Sequence, residues 1–186
     1  MRNSLVVIDD FYSNPDEVRA FALSLPFGIS GNYPGGRTEN FINESTMYDI
    51  EHYIGESVRD WPIGQCAGNY TGSFQLTTKK DKSWVHVDDG TNWAGVLYLT
   101  PNAPLSGGTG FFKSKVDGSM TSIDGNIPGL PGDAYSDMNY WEKCSEVGNV
   151  YNRLILFRSD QWHSSLDYFG TDKYDGRLTQ VFFFST

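Results

Sequence analysis

Apolar and polar positions follow two periods along this chain, and the change from one to the other divides it. Leu5 to Ile8 is an apolar run of strand length that ends at Asp9 and Asp10. Val18, Phe21, Ala22 and Leu25 then recur at i, i+3, i+4 and i+7, which predicts a helix with one apolar face. Asn14 before Pro15, with Asp16 and Glu17 in the first turn, suits the start of that helix, and Pro26 ends it. A second helix is predicted from near Thr46 to about Asp60, where Ile50, Ile54 and Val58 stand four apart and Met47 and Trp61 continue the stripe. Between the two, Gly28 to Arg37 shows no period and reads as a loop. Tyr33 and Arg37 within it are either substrate contacts or solvated loop residues.

From Gly64 onward the pattern becomes short strands divided by turn residues. Trp93 to Leu99 is nearly all apolar, Thr109 to Phe112 follows the Gly107–Gly108 turn, and Leu154 to Phe157 is an apolar run. Arg177 to Phe184 closes the chain. The two glycines lack a following G-K-[ST], so they read as a turn and not as a phosphate loop. Helical patterning returns only around Asp133 to Cys144, where a short helix is predicted. Residues 113–133 have glycines, prolines and small polar residues without a period, and form a long loop that is either a lid over a site or a surface insertion. This order of elements predicts a mainly β chain with flanking helices (α+β). Its core would be a double-stranded β-helix, the jelly-roll architecture of cupins, over residues 63–186, braced by a helical support region over 1–62. At 186 residues a single domain is expected.

The candidate chemistry centres on Trp84-Val85-His86-Val87-Asp88-Asp89. In an extended segment, residues two apart share a face, so His86 and Asp88 point the same way. They supply two-thirds of a 2-His-1-carboxylate facial triad, the set that holds non-haem Fe(II) and leaves adjacent positions open. The bland reading of H-x-D by itself is a surface ion pair. The chain has three histidines. His163, at the end of the strand-like run that begins at Leu154, is the better third ligand, and His52 lies in a helical stretch that faces solvent. Fourteen residues after His163 comes Arg177, which shares a strand face with Thr179. A guanidinium beside a hydroxyl suits a carboxylate, and an iron site of this kind commonly takes a dicarboxylate cosubstrate by its far end. Gln75, Trp84, Trp93 and Trp162 are neighbours of these residues in sequence and are candidates for the substrate pocket, with core packing as the alternative for each. Tyr98, in a buried strand, needs a partner for its hydroxyl, and a backbone carbonyl would serve.

Composition and charge narrow the partners. Lys and Arg number 14 against 23 Asp and Glu, a net charge of −9, which argues against nucleic acid or an anionic membrane as the main partner and makes a neutral or basic substrate easier to attract. No apolar run is long enough to span a bilayer, and the first residues lack a signal-peptide pattern. Cys66 and Cys144 are far apart and fit neither a disulfide framework nor a zinc site, so reduced thiols in a cytoplasmic protein are expected, with the Asn43 and Asn69 sequons incidental. The oligomeric state is open.

In order along residues 66–186, H86-V-D88, L97-Y98-L99, S106-G107-G108-T109, N152-R153-L154-I155-L156-F157 with His163, and R177-L-T179 resemble the Fe(II)/2-oxoglutarate-dependent dioxygenases, in their prolyl-hydroxylase-like branch. The resemblance implies Fe(II) on His86, Asp88 and His163, with 2-oxoglutarate held by Arg177 and Thr179, O2 as oxidant and release of succinate and CO2. It implies hydroxylation of a C–H bond in a protein residue, prolyl among them, or in a small molecule. It also matches Tyr98 to a tyrosine that helps the arginine hold the far carboxylate, and gives Asn152 and Arg153 a fold-supporting place. Similar halogenases lack the carboxylate that Asp88 supplies, which points to hydroxylation. Two rivals stand beside this reading: a non-catalytic jelly-roll binding module, and a cupin-like metalloenzyme that does not use 2-oxoglutarate.

Overall fold

Period two decides which side of the main sheet each side chain takes. In the computed structural model, which describes residues 3–61 and 70–186, the elements are β1 (Leu5–Ile8), α1 (Pro15–Ser24), β2 (Ile29–Gly31), β3 (Tyr33–Asn40), α2 (Glu44–Ile54), β4 (Ser73–Thr77), β5 (Trp93–Tyr98), β6 (Thr109–Ser114), β7 (Trp141–Val147), β8 (Leu154–Arg158), β9 (His163–Ser165) and β10 (Arg177–Phe184). Seven strands form an antiparallel sheet in the order β1-β8-β5-β10-β4-β3-β2, and β7-β6-β9 form a second. Trp93 and Leu97 of β5, Leu154 and Leu156 of β8, and Leu178, Phe182 and Phe184 of β10 point one way, onto Ala22 of α1 and Ile50 and Ile54 of α2. Their alternates Ala94, Tyr98, Ile155, Phe157 and Phe183 point the other way and meet Phe111 of β6 between the two sheets. Phe112, next along β6, turns outward into a third cluster with Val85, Val87, Ile127, Trp141 and Trp162. The result is a layered β structure with helices on one outer face, as the pattern predicts. The N-terminal third adds strands as well as helices, since β1, β2 and β3 all join the large sheet.

Several expectations change. Gly28 to Arg37 is not a loop: β2 and β3 occupy most of it, at the edge of the large sheet. Its glycines hid the strands because they serve close approach. Gly35 has φ +72° and a Cβ there would lie 2.0 Å from the Leu76 carbonyl oxygen, while one on Gly36 would lie 2.5 Å from that of Phe27. The second helix starts at Glu44, with the Asn43 side chain accepting from the Thr46 N–H, and ends six residues before Asp60 because Gly55 takes the left-handed C-cap conformation, φ 70°. Residues 133–144 are not a helix. Two short 3₁₀ turns, Ala134–Ser136 and Met138–Tyr140, lead into β7, whose solvent-facing charges conceal its strand period. The Trp84–Asp89 segment is extended but joins its neighbour at one bridge, His86 with His163, in place of a full strand ladder. Gly64, Cys66 and Asn69 lie outside the described residues; Cys144 is a free, exposed thiol. No helix among the described residues is long and apolar enough to cross a membrane.

The 113–133 segment is ordered by specific bonds. The Trp162 N–H donates to the Met120 carbonyl at 3.1 Å, the Ser122 N–H to that of Asp160 at 2.8 Å, and Ile127 is buried, while Ile123 at the tip is 96% exposed. These contacts tie the segment to the outer cluster and to the residues just before β9.

The paired glycines give a stability test. Gly55 and Gly35 both have positive φ, but a Cβ on Gly55 meets nothing within 4 Å. Gly55→Ala should therefore cost only the left-handed strain, about 1–2 kcal/mol. Gly35→Ala adds a backbone collision and should lower the thermal midpoint clearly further. Equal midpoints for the two variants would contradict the β3–β4 register.

Candidate active site

The ligand candidates converge because two short segments pair at one point. The His86 N–H donates to the His163 carbonyl and the His163 N–H to that of His86, both at 2.9 Å, the reciprocal pair of an antiparallel bridge. That pairing sets the two imidazoles side by side, with ring centroids 4.4 Å apart. Two residues on, the Asp88 N–H donates to the Ser159 carbonyl at 2.9 Å, and the alternate residues Val85 and Val87 are anchored in the outer cluster. Trp84, His86 and Asp88 are thereby left to face a cavity of about 80 Å³ between the sheets.

His86 Nε2 is 3.8 Å from Asp88 Oδ1 and His163 Nε2 is 3.2 Å from Asp88 Oδ2; one ligand atom from each of the three residues lies within 4.8 Å of the others. Cis positions on an octahedron with bonds of about 2.1 Å are about 3 Å apart, so the spacing suits three ligands on one ion. Each histidine uses Nδ1 in the same way, on the carbonyl two residues before it: His86 with Trp84 and His163 with Gln161, both at 2.9 Å. With Nδ1–H donating there, Nε2 keeps its lone pair for a metal. Among the described residues this is the one His/Cys/Asp/Glu group with ligand spacing, and His52 is exposed on α2, away from it.

The charges are tuned by one another. Burial lowers His86, and His163 beside it lowers it further, so it is neutral at ordinary pH. Burial would also lower His163, but the Asp88 charge and hydrogen bond outweigh it and raise this histidine above the usual value. Asp88 is raised by burial and lowered more strongly by His163, so it stays ionised.

At the other end of the cavity, β10 places Arg177 and Thr179 on the inner face. Arg177 Nε donates to the Gly107 carbonyl at 2.8 Å, while its Nη2 is buried with no hydrogen-bond partner among the described residues. Its guanidinium carbon lies 5.4 Å from the Tyr98 ring and 5.9 Å from that of Tyr168. The Tyr98 hydroxyl is hydrogen-bonded at 2.8 Å to Thr109 Oγ1, not to a backbone carbonyl. Gln75, on β4 beside Thr179, and Trp84 line the cavity. Trp93 does not: it is buried on the helix side of the large sheet, against Phe184 and 4.1 Å from the Arg158 guanidinium. Trp162 is buried in the outer cluster, 5.1 Å from Trp141. Thr109 and Tyr168 are cavity residues that sequence reasoning passed over, whereas Tyr33 and Arg37, read as either substrate contacts or solvated loop residues, line the cavity, Arg37 by a route the sequence did not show. It pairs with Gln75 across β3 and β4, a non-local register that no local pattern reveals.

The comparisons with known proteins come down on the fold. The model of DUF6445, described as a family of unknown function, matches residues 1–126, about two-thirds of the chain. The chain belongs to that family. The match takes in His86, Asp88 and Tyr98 of this DUF6445 protein and ends before His163 and Arg177. No curated protein sequence matches it. Among solved structures, HygX from Streptomyces hygroscopicus with nickel, 2-oxoglutarate and hygromycin B bound superposes at a TM-score of 0.59 and 12% identity, over 96% of this chain and 81% of that one. A Trichoplax adhaerens prolyl hydroxylase in complex with a hypoxia inducible factor oxygen degradation domain peptide fragment gives 0.54 and 15%, over 98% and 84%. A Pseudomonas putida prolyl-4-hydroxylase gives 0.50 and 16%, over 97% and 91%. The DUF6445 chain thus has the jelly-roll fold of the 2-oxoglutarate oxygenases.

A pH dependence of metal uptake follows from the histidines. Below its raised value His163 carries a proton in the metal-free pair, and because a ligating imidazole must be neutral, binding an ion there releases a proton. Affinity for Mn(II) should fall by about tenfold per pH unit as pH drops below the raised His163 value, beginning above the free-histidine value of about 6.5. Affinity that is flat between about pH 8 and about pH 6 would contradict ligation by His163.

Proposed function

We propose that this protein is an Fe(II)- and 2-oxoglutarate-dependent dioxygenase that hydroxylates a C–H bond of a small molecule or of a protein residue, prolyl among them. The observation that carries this reading is the buried, unpartnered Nη2 of Arg177, in the same cavity onto which His86, Asp88 and His163 converge. A buried guanidinium nitrogen without an acceptor is costly, and a ligand carboxylate removes that cost.

The residues present fit both groups. His86, Asp88 and His163 are an N,N,O donor set suited to Fe(II). Arg177, with Thr179 and Tyr98 beside it, suits the far carboxylate of 2-oxoglutarate. Bound together, iron and 2-oxoglutarate supply the power to activate O2 and oxidise a C–H bond, with succinate and CO2 released. The chain's own work is placement. The carbonyls of Trp84 and Gln161 hold both imidazoles with Nε2 outward, and Asp88 stays anionic between them. The Gly107 carbonyl fixes one edge of the Arg177 guanidinium and leaves the other toward the cavity. Phe157, Val181 and Phe183 give that cavity apolar walls, which keep water from the reacting centre.

An anaerobic titration tests the reading. Adding 2-oxoglutarate to the Fe(II)-loaded protein should produce a visible metal-to-ligand charge-transfer band, and Asp88→Ala or His163→Ala should abolish it while the fold is kept. Arg177→Ala should still bind iron but lose on the order of 2–5 kcal/mol of 2-oxoglutarate affinity. Iron uptake without any band would favour a cupin-like metalloenzyme, and no iron uptake would favour a binding module.

A further inference from the structure

Arg37 is a buried cation, 7% exposed, with neutral neighbours in contact. Its Nε and Nη2 both donate to one oxygen, Gln75 Oε1, at 3.0 and 2.9 Å, and the Gln75 amide is held in that orientation because its Nε2 donates to the Pro34 carbonyl at 2.8 Å. The guanidinium lies 3.8 Å from the centre of the Tyr33 ring, 4.9 Å from that of Tyr70 and 5.6 Å from that of Phe183. Among the described residues, Nη1 has no hydrogen-bond partner and no carboxylate lies within ion-pair distance. Burial pushes Arg37 down to about 10, which leaves it charged at neutral pH. The Asp88 carboxylate attracts it from beyond ion-pair distance, so at contact distance this mostly buried charge meets neutral groups alone and has room for a ligand anion.

Its position says what that partner meets. Arg37 lines the inner cavity and also an outer cleft of about 640 Å³, which it shares with His86 and Asp88 and which Tyr33, Tyr70 and Trp84 wall with aromatic rings. In the oxygenase reading, on which this inference rests, Asp88 serves the metal and Arg177 the cosubstrate. Two guanidiniums and a divalent ion against one ligand carboxylate and a dianionic cosubstrate leave one positive charge, and Arg37 carries it. We propose that Arg37 determines specificity by binding a carboxylate of the primary substrate, which makes the substrate an amphipathic monocarboxylic acid with its apolar body on Tyr33, Tyr70 and Trp84. One guanidinium and one surplus charge match a carboxylate; a dianionic phosphate would be drawn against Asp88 with no second cation. The chain's net charge of −9 does not oppose this, because charges on the outer surface are screened over a Debye length of about 8 Å, whereas Arg37 meets its ligand directly.

The test uses the protein loaded with Mn(II) and saturating 2-oxoglutarate, and calorimetric titration with 3-phenylpropionate and its uncharged amide as probes. The acid should bind the parent at least about tenfold more tightly than the amide. That preference should vanish in Arg37→Gln and survive in part in Arg37→Lys, with Mn(II) and 2-oxoglutarate affinities the same in all three proteins. Equal binding of acid and amide by the parent, including no binding of either at the solubility limit, overturns the inference and leaves the oxygenase reading standing. So does an acid preference that persists in Arg37→Gln. A loss of 2-oxoglutarate affinity in Arg37→Gln overturns it too, by giving the arginine to the cosubstrate. A parent that takes up Mn(II) but no 2-oxoglutarate overturns the oxygenase reading itself.

Discussion

The reciprocal backbone bond pair between His86 and His163 is the point on which the site depends. It is one bridge, not a ladder, so it brings a segment otherwise held by single backbone bonds, Val85 N–H to the Tyr135 carbonyl and Asp88 N–H to that of Ser159, against the start of β9 at a single register. That register sets everything downstream of it. A slip of one residue would carry Val85 and Val87 out of the outer cluster and turn His86 and Asp88 into it. The apolar alternates therefore hold the polar ones in place. The same backbone supplies the carbonyls of Trp84 and Gln161 that fix both imidazoles, so ligand orientation and chain pairing have one cause.

Around that bridge, the two sheets create a space that is dry enough to make charge expensive and that nevertheless holds charged groups. Asp88 and His163 compensate each other. Among the described residues neither Arg177 nor Arg37 has a carboxylate within ion-pair distance, and each is instead pinned by a neutral oxygen, the Gly107 carbonyl in one case and Gln75 in the other. Pinning a guanidinium by a neutral acceptor fixes its direction while leaving its charge for a ligand. The period-two geometry of β10, β4 and β3 puts both cations on the cavity side, while the opposite faces of β10 and β4 build the helix-side core.

Where a strand is buried on both faces or alternates cleanly, its place could be read from the chain. β5, β8 and β10 are of this kind, the edge strand β1 was legible from its apolar run alone, and the shared face of His86 and Asp88 depends only on extended backbone. The other edge elements could not be read that way. β3 carries glycines where the Leu76 and Phe27 carbonyls come close, and β7 shows five exposed positions because one side of it meets solvent, so neither has an apolar period. Gly55 did carry a stop signal for α2, but the Ile54–Val58 spacing masked it. Thr109 and Tyr168 enter the cavity through pairings between segments far apart in sequence, and so does Arg37, which the sequence offered as a substrate contact only by its place in a loop that proves to be strand. Local pattern has no access to such contacts; for Trp93, near the ligands in sequence, it left core packing beside a pocket role, and the sheet puts it in the helix-side core.

The most direct measurement is an anaerobic crystal structure of the protein with Fe(II) and 2-oxoglutarate, with data collected at the iron edge. The account predicts one anomalous peak bonded to His86 Nε2, an Asp88 oxygen and His163 Nε2, with 2-oxoglutarate chelating the ion and its far carboxylate on Arg177 Nη2. A peak at other residues, or 2-oxoglutarate bound with no contact to Arg177, would contradict it.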